Sequence, residues 1–320
     1  MRLRQPDARR RCSQRKKKEE RLKIILHAGT PKTGTTSLQL FLHRHRDALR
    51  DRGVLYPSAG ITPPPEPKHQ WMIGGLMRED PRDFRGMLAA ALEEARPDTH
   101  TMILSSEGLF HRWWDFSPEG RGALQELSAR FPLEVWAFFR EPVSFIRSFY
   151  IQMLKNPRGS GPCYGEDLSL GEMLDRPRFS IHLDYIGYIR AVEEALGAGT
   201  VRPFRYGGNT VGDVLAALGI RDLDPAAPRE NRTVGSLGVA LLRVMNRETL
   251  GVQQKQDAVR LVEELDRLAD GAARPLQIEP GEITRIQALA AESVSAFRDI
   301  YSLDLATPPH DGSPNLTMPV

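Results

Sequence analysis

The chain has 320 residues, of which 40% are hydrophobic and 27% are charged, and its formal net charge is +3. These proportions are ordinary for a globular protein, and the length suffices for one large domain or for a domain with an appended lobe. No run approaches the roughly 20 apolar residues of a membrane-spanning helix, and no apolar signal-peptide core follows the basic start. We therefore expect a cytoplasmic protein. Its two cysteines, Cys12 and Cys163, suggest neither a disulfide framework nor a metal site.

Both ends of the chain have the composition of loose tails. Residues 1–23 contain eleven Lys or Arg and three Asp or Glu, so the rest of the chain is net acidic. The basic stretch is a solvated extension, the result of a wrongly assigned start codon, or an arm for nucleic acid or an anionic membrane. From about residue 306 the chain is rich in Pro, Gly, Ser, Asn and Asp, which is typical of a loose end. The predicted organisation is a basic tail over 1–21, one domain over 22–305 with a helical lobe at about 230–305, and a C-terminal tail over 306–320.

The first predicted element is a short strand, Ile24-Ile25-Leu26, which a tight loop connects to a helix with an apolar pattern. The loop, residues 30–37, has the sequence Thr-Pro-Lys-Thr-Gly-Thr-Thr-Ser. A glycine-containing loop at such a junction points several backbone N–H groups at one spot, where the helix N-terminus adds positive potential. The pattern therefore predicts a site for a phosphate or another oxyanion, with Lys32 supplying a point charge.

The spacing within this loop separates two kinds of phosphate chemistry. Gly29 and Gly34 have the four-residue gap of a nucleotide-binding P-loop, but that loop carries lysine directly after its second glycine, followed by Ser or Thr for magnesium. Here Thr35 follows Gly34, and Lys32 lies two residues before it. The fit to an ATP-binding loop is poor. A P-loop kinase or NTPase, with Thr36 for Mg²⁺ of Mg-ATP and Glu107 as a degenerate acidic strand end, is kept as the alternative.

Strands and helices alternate along the next two hundred residues. In chain order the pattern predicts a strand over 53–57, a Pro-rich loop over 62–67, a helix over 84–95, a strand over 101–104, a helix over 120–131, a strand over 133–139 with a helix after Pro142, an edge strand over 201–205, and later helices near 235–247, 256–269 and 282–300. Alternating elements predict an α/β fold, a parallel sheet flanked by helices, with a mainly helical C-terminal part. Ligands of such sheets bind beyond the carboxyl ends of the strands.

A second anion-binding pattern brackets the turn after the strand over 133–139. Arg140 follows the strand, and Ser148 lies eight residues later on the next helix. Arginine offers a planar fork of donors and serine a short hydroxyl, so a phosphate monoester between them would receive charge-assisted hydrogen bonds from both. Taken alone, Arg140 would be assigned to an ion pair with Glu141 or another neighbour.

These two patterns together resemble the sulfotransferases that use 3′-phosphoadenosine 5′-phosphosulfate (PAPS), in particular the diverse bacterial branch. The resemblance covers roughly residues 22–220 and implies the P-loop NTPase-like sulfotransferase fold. It assigns the 3′-phosphate of PAPS to Arg140 and Ser148. The residues that it assigns to the 5′-phosphosulfate are Pro31, Lys32, Thr33, Gly34, Thr35, Thr36 and Ser37.

The resemblance is incomplete toward the C-terminal end. In the family a tyrosine just after the late strand contacts the adenine, and Tyr206 occupies that place. The glutamate that usually follows it is absent, because Gly207 stands there. The Arg-Lys-Gly triplet that closes the 3′-phosphate site in cytosolic members has no counterpart in the C-terminal third.

The general base is expected at the end of the strand over 101–104. The family places histidine there in small-molecule enzymes and glutamate in several glycan enzymes, and this chain continues as Ser105-Ser106-Glu107. Glu107 is therefore either the base or a helix-start carboxylate that offsets the dipole near Gly108. His69, after the Pro-rich loop, is the reserve.

The expected reaction is in-line transfer of a sulfuryl group from PAPS to an acceptor hydroxyl of a carbohydrate or another alcohol, leaving 3′-phosphoadenosine 5′-phosphate. Lys32 and the loop N–H groups would stabilise the leaving phosphate, and no metal is required. The acceptor is the expected partner. Nucleic acid is not, because the basic tail lacks an accompanying aromatic or Gly-rich recognition motif.

Overall fold

The computed structural model describes residues 22–31, 33–64, 66–225, 234–269 and 275–307. The predicted basic tail, Lys32 and most of the predicted C-terminal tail lie outside these ranges. The chain divides into two compact units. The first comprises Met1–Phe138, Tyr188–Phe204 and Asn209–Ala226, and the second comprises Phe139–Gly187, Arg205–Gly208 and Ala227–Val320. The domain boundaries expected from the sequence remain predictions.

The first unit contains a five-stranded sheet. Only the last residues of its fourth and fifth strands, Phe139 and Arg205, are assigned to the second unit. The strands are β1 Lys23–Gly29, β2 Val54–Leu55, β3 Thr101–Ser105, β4 Leu133–Phe139 and β5 Val201–Arg205. Their order in the sheet is β2-β3-β1-β4-β5, and the pairs β1–β3, β1–β4 and β2–β3 are parallel. The α/β fold class predicted from the alternation of elements is confirmed.

Helices connect and flank these strands. In chain order, the α-helices of the described residues are α1 Thr35–Arg44, α2 Arg46–Arg50, α3 Trp71–Leu76, α4 Arg82–Glu93, α5 Gly108–His111, α6 Pro118–Arg130, α7 Pro142–Lys155, α8 Leu170–Leu174, α9 Pro177–Ser180, α10 Tyr185–Leu196, α11 Thr210–Ala217, α12 Ser236–Met245, α13 Val252–Leu268 and α14 Pro280–Tyr301. Within the described ranges, none of these helices combines the length and the apolar character that a membrane crossing needs.

The core of the first unit fixes the position of α1. Leu38, Phe41 and Leu42 lie at the i, i+3 and i+4 positions of one helix face, and all three are buried. They belong to the same hydrophobic cluster as Ile25 of β1 and Trp136 of β4. Fully burying such a side chain stabilises the fold by about 1.5–3 kcal/mol, so the start of α1 is held firmly at the carboxyl end of β1.

The second unit is built largely from helices around aromatic side chains. Phe149 of α7 stacks on Phe145 one turn earlier, with ring centroids 5.3 Å apart, and on Phe179 of α9 at 5.2 Å. Asp266 of α13 is 4% exposed and accepts hydrogen bonds from the backbone N–H groups of Gly235 and Gly238, both at 2.9 Å. This carboxylate therefore caps the start of α12. The mainly helical C-terminal part is found where the sequence predicts it.

Candidate active site

Two glycines flank the turn between β1 and α1, with Gly29 at the end of β1 and Gly34 at the N-cap of α1. Gly34 adopts φ 72° and ψ 15°, a left-handed conformation that residues with a Cβ adopt at a cost. A Cβ on Gly29 would lie 2.9 Å from Thr33 Oγ1, which is closer than a real contact allows. The Thr33 hydroxyl in turn donates a hydrogen bond to the carbonyl of Thr30 at 2.7 Å. The loop is thus a tight turn closed by its own side chain.

The N-terminus of α1 is open toward this loop. Gly34 occupies the N-cap position without a capping side chain, and the first turn of α1 contains no acidic residue. By contrast, Ser117 caps α6 by accepting a hydrogen bond from the Gly120 N–H at 2.9 Å. The N–H groups in the first turn of a helix have no intrahelical acceptor. This end of α1 is therefore suited to an anion.

The residues assigned to the phosphosulfate lie around this helix start. Pro31, Thr33 and Thr35 are buried, whereas Gly34, Thr36 and Ser37 are half-buried. Thr210, at the start of α11, donates a hydrogen bond to the Thr33 carbonyl at 2.6 Å, which braces the loop from outside. Lys32 falls outside the described residues, so its assignment remains a prediction.

Glu107 contacts the predicted anion-binding loop (residues 30–37, the anion loop) directly. It lies two residues after β3, with its side chain 27% exposed. Its Oε2 accepts a hydrogen bond from the Thr35 hydroxyl at 2.7 Å, and its Oε1 accepts one from Lys68 Nζ at 3.3 Å. Although Glu107 occupies the N-cap position of α5, its side chain accepts no hydrogen bond from that helix. The carboxylate is therefore directed at α1 and Lys68 rather than at the helix it precedes.

The surroundings of Glu107 favour its ionised form. Burial acts to raise the pKa of the carboxyl, but the charge of Lys68, the Thr35 hydroxyl and His111 together outweigh burial, and the pKa lies below its ordinary value. Glu107 is consequently a carboxylate at neutral pH. A carboxylate has room for about four hydrogen bonds, and the two described here leave capacity for a proton from a substrate.

Lys68 is the site residue that sequence reasoning missed. Its side chain is 16% exposed and its Nζ lies 2.8 Å from Glu66 Oε2 as well as 3.3 Å from Glu107 Oε1. Burial acts to lower the pKa of the ammonium group, but the two carboxylates outweigh it and raise that pKa above its ordinary value. No motif marks this residue, because a lysine beside a Pro-rich loop is an ordinary surface residue until the loop is placed against β3.

The surroundings of His69, the reserve base, argue against that role. His69 has no exposed surface, and its Nδ1 accepts a hydrogen bond from the Ser105 N–H at 3.1 Å. The ring proton is therefore assigned to Nε2, which lies 3.1 Å from the Pro57 carbonyl. Burial lowers the pKa of His69 to about 4, so the ring is neutral at pH 7. Both ring nitrogens are hydrogen-bonded to the backbone, so the His69 side chain connects Pro57 to Ser105 at the end of β3.

Arg140, Ser148 and Tyr206 come together within the second unit. Arg140 NH1 donates a hydrogen bond to Ser148 Oγ at 3.3 Å, and the guanidinium lies over the Tyr206 ring, 5.6 Å from its centroid. The Tyr185 hydroxyl donates to the Arg140 carbonyl at 3.0 Å, which fixes the backbone at this point. Burial lowers the pKa of the Arg140 guanidinium, and the nearby Arg147 adds to this effect. Arginine and hydroxyl side chains of this kind bind phosphate through charge-assisted hydrogen bonds.

Glu141 has a separate role beside this group. Its two carboxylate oxygens accept hydrogen bonds from the N–H groups of Val143 at 2.8 Å and Ser144 at 2.6 Å. Glu141 thus caps α7. The N-terminus of α7 is satisfied by the chain itself, so an anion at Arg140 would be held by side chains.

Comparison with known proteins gives two similar solved structures. A sulfotransferase from Alicyclobacillus acidocaldarius is 17% identical, with a TM-score of 0.40, over 86% of this chain and 98% of that one. Retinol dehydratase in complex with androsterone and the inactive cofactor PAP is 11% identical, with a TM-score of 0.26, over 83% and 70%. No model of a protein family and no curated protein matches the chain. Both TM-scores are too low to assign a function, which must come from the residues of this chain.

Proposed function

We propose that this protein is a PAPS-dependent sulfotransferase that moves a sulfuryl group to an acceptor hydroxyl of a carbohydrate or another alcohol. The observation that carries the proposal is the contact between Thr35 and Glu107, 2.7 Å from hydroxyl to carboxylate oxygen. It joins a carboxylate to the uncapped start of α1, so that an anion-binding helix end and a proton acceptor adjoin each other. Transfer of a sulfuryl group to a hydroxyl needs both an anion site and a proton acceptor.

Binding of the donor is assigned to the two anion patterns. The loop over 31–37 would hold the 5′-phosphosulfate through backbone N–H groups, the hydroxyls of Thr35 and Thr36, and Lys32. Arg140 and Ser148 would hold the 3′-phosphate, and Tyr206 would contact the adenine. The left-handed Gly34 and the open end of α1 fit an oxyanion, since no side chain of the described residues caps that helix start.

The transfer step follows from these assignments. The acceptor oxygen attacks the sulfur in line, so that a new sulfur–oxygen bond forms while the bond from sulfur to the phosphate oxygen breaks. The acceptor proton passes to Glu107, whose lowered pKa keeps the carboxylate ionised at neutral pH. Negative charge grows on the departing phosphate, and the loop N–H groups with Lys32 would stabilise it. The groups assigned here to proton transfer and to charge stabilisation are then all residues of the chain.

The test is calorimetric titration of the purified protein with 3′-phosphoadenosine 5′-phosphate and, separately, with Mg-ATP. We expect binding of the former at equal affinity with and without EDTA, because a sulfotransferase site needs no metal. A preference for Mg-ATP that EDTA abolishes would overturn the proposal in favour of a kinase or NTPase. Transfer of labelled sulfuryl from PAPS to a panel of sugars and simple alcohols then identifies the acceptor class.

A further inference from the structure

Lys68 lies between two carboxylates, and its position is set by the chain around it. Its Nζ contacts Glu66 Oε2 at 2.8 Å and Glu107 Oε1 at 3.3 Å. The two carboxylates differ, since the Glu66 side chain is 52% exposed whereas that of Glu107 is 27% exposed. Glu66 therefore neutralises Lys68 from the solvent side, and Glu107 receives its charge from the inner side.

The segment that carries Lys68 is fastened by hydrogen bonds on both sides of that residue. Before it, the Thr62 N–H donates to the Lys68 carbonyl at 3.0 Å, and the Lys68 N–H donates to Thr62 Oγ1 at 3.0 Å. The Tyr56 hydroxyl donates to the Pro67 carbonyl at 2.7 Å. After it, the His69 N–H donates to the Ser105 carbonyl at 2.9 Å. The backbone at Lys68 is thus tied to the end of β3, two residues before Glu107.

The other titratable groups that face Glu107 contribute less charge. His27 of β1 is buried, and burial lowers its pKa to about 4, so its ring is neutral at pH 7. His111, one turn further along α5, acts on Glu107 from its own helix. The Thr35 hydroxyl of α1 is neutral and donates a hydrogen bond to Glu107 Oε2. Among the described groups that lower the pKa of Glu107, Lys68 has a larger effect than Thr35 or His111. Lys32 lies outside the described residues.

We infer that Lys68 is a positioning residue for the proposed sulfuryl transfer: together with Thr35 it holds one oxygen each of the Glu107 carboxylate and so aims the remaining lone pairs at the acceptor hydroxyl. This inference rests on the proposed function for its catalytic consequence. Lys68 also keeps Glu107 ionised at lower pH than an isolated glutamate. An opposite charge within about 4–6 Å lowers a carboxyl pKa by about 1–3 pH units, so neutralising Lys68 should raise that of Glu107 by about one pH unit.

The experiment compares Lys68→Gln and Lys68→Met with Lys68→Arg, which retains the charge. The matched control is Lys23→Gln, because Lys23 forms a similar pair with Glu134 at 3.0 Å at the opposite end of β1. The first readout is the titration of Glu107 in protein with ¹³C-labelled glutamate carboxyls, assigned by its absence in Glu107→Gln. The second readout is the pH profile of kcat and KM for transfer from PAPS, with urea unfolding as a check that each variant is folded.

The inference predicts a selective change in both readouts. In the neutral variants the Glu107 titration and the acid limb of the kcat profile should move up together by about one pH unit, which lowers kcat about tenfold on that limb. KM for PAPS should stay unchanged, Lys68→Arg should keep the wild-type profile, and Lys23→Gln should behave as wild type. If only one of Lys68→Gln and Lys68→Met folds, that variant alone is enough for the test.

The outcomes also separate this inference from the proposed function. An unmoved Glu107 titration in a folded neutral variant overturns the inference, whatever the enzyme does. A titration that moves in a protein without transfer from PAPS or binding of its desulfated product overturns the proposed function and leaves the role of Lys68 toward Glu107 intact.

Discussion

Replacing Glu107 by glutamine removes one negative charge at nearly constant shape. In the folded chain this carboxylate accepts a hydrogen bond from Thr35 at 2.7 Å and forms an ion pair with Lys68 at 3.3 Å. A hydrogen bond to a charged group contributes about 1.5–3 kcal/mol and a neutral one about 0.5–1.5 kcal/mol, so the Thr35 contact should weaken by about 1 kcal/mol. Lys68 keeps Glu66, and its partly exposed pair with Glu107 contributes up to about 1 kcal/mol. The free energy of unfolding should therefore fall by about 1–2 kcal/mol.

The effect of Glu107→Gln on turnover should be much larger than its effect on stability. A positioned general base contributes about a hundredfold to ten-thousandfold in rate, and glutamine cannot accept the proton. Binding of 3′-phosphoadenosine 5′-phosphate should stay close to wild type, because the loop N–H groups and Arg140 are untouched. Urea unfolding, calorimetry and labelled-sulfuryl transfer measure the three quantities. The control is Glu126→Gln, an exposed carboxylate paired with Arg85 on the same unit.

Two results would refute the reasoning about Glu107. Transfer within about tenfold of wild type in the folded variant would fall below the contribution of a general base and remove Glu107 from that role. Loss of nucleotide binding with intact folding would show that the carboxylate supports the anion loop rather than the acceptor.

Three further predictions concern the loop, the arginine and acid stability. Gly34→Ala forces a Cβ into φ 72°, so urea unfolding should show a loss of about 1–2 kcal/mol and calorimetry a weaker affinity for the desulfated nucleotide; unchanged values of both would contradict the loop geometry. Arg140→Ala should weaken binding of 3′-phosphoadenosine 5′-phosphate more than that of AMP, with Arg247→Ala as the control, and equal losses would contradict its assignment. The folded-state pKa of Glu107 lies below the ordinary value, so the contribution of its charge to stability is present above the unfolded-state pKa and is lost as pH falls through the folded-state pKa. The urea midpoint of the wild type should therefore fall more with decreasing pH than that of Glu107→Gln. An equal fall in the two proteins would refute this.

The main elements of the fold could be predicted because each strand is a short apolar run bounded by residues that break it. The strand over 133–139 has the same bounds in the structure as in the prediction. The strand expected over 53–57 is shorter, Val54–Leu55. Gly53 adopts φ 72°, which is not a strand conformation, and Pro57 has no N–H to donate to a neighbour.

The candidate site could be predicted only where function depends on a local pattern. The residues of the loop over 31–37 are contiguous, and Arg140 and Ser148 are only eight positions apart. The spacing within each group is therefore informative. The contact between Lys68 and Glu107 joins residues 39 positions apart and depends on how the segment after the Pro-rich loop is tied to β3. His69 is an attractive base from its place in the sequence, but only the structure shows that the backbone occupies both ring nitrogens.

The central place of β1 in its sheet has a consequence for motion. β1 is hydrogen-bonded along both edges, to β3 and to β4, and its residues from Ile24 to Gly29 are all buried. Amides in such a strand exchange with solvent only when the whole unit opens, whereas segments held by a few hydrogen bonds open locally at lower free energy. Hydrogen exchange should therefore be slowest at β1, the strand from which the loop over 31–37 extends. If the proposed function is correct, the donor phosphosulfate would be held by a loop that extends from the part of this unit that opens last.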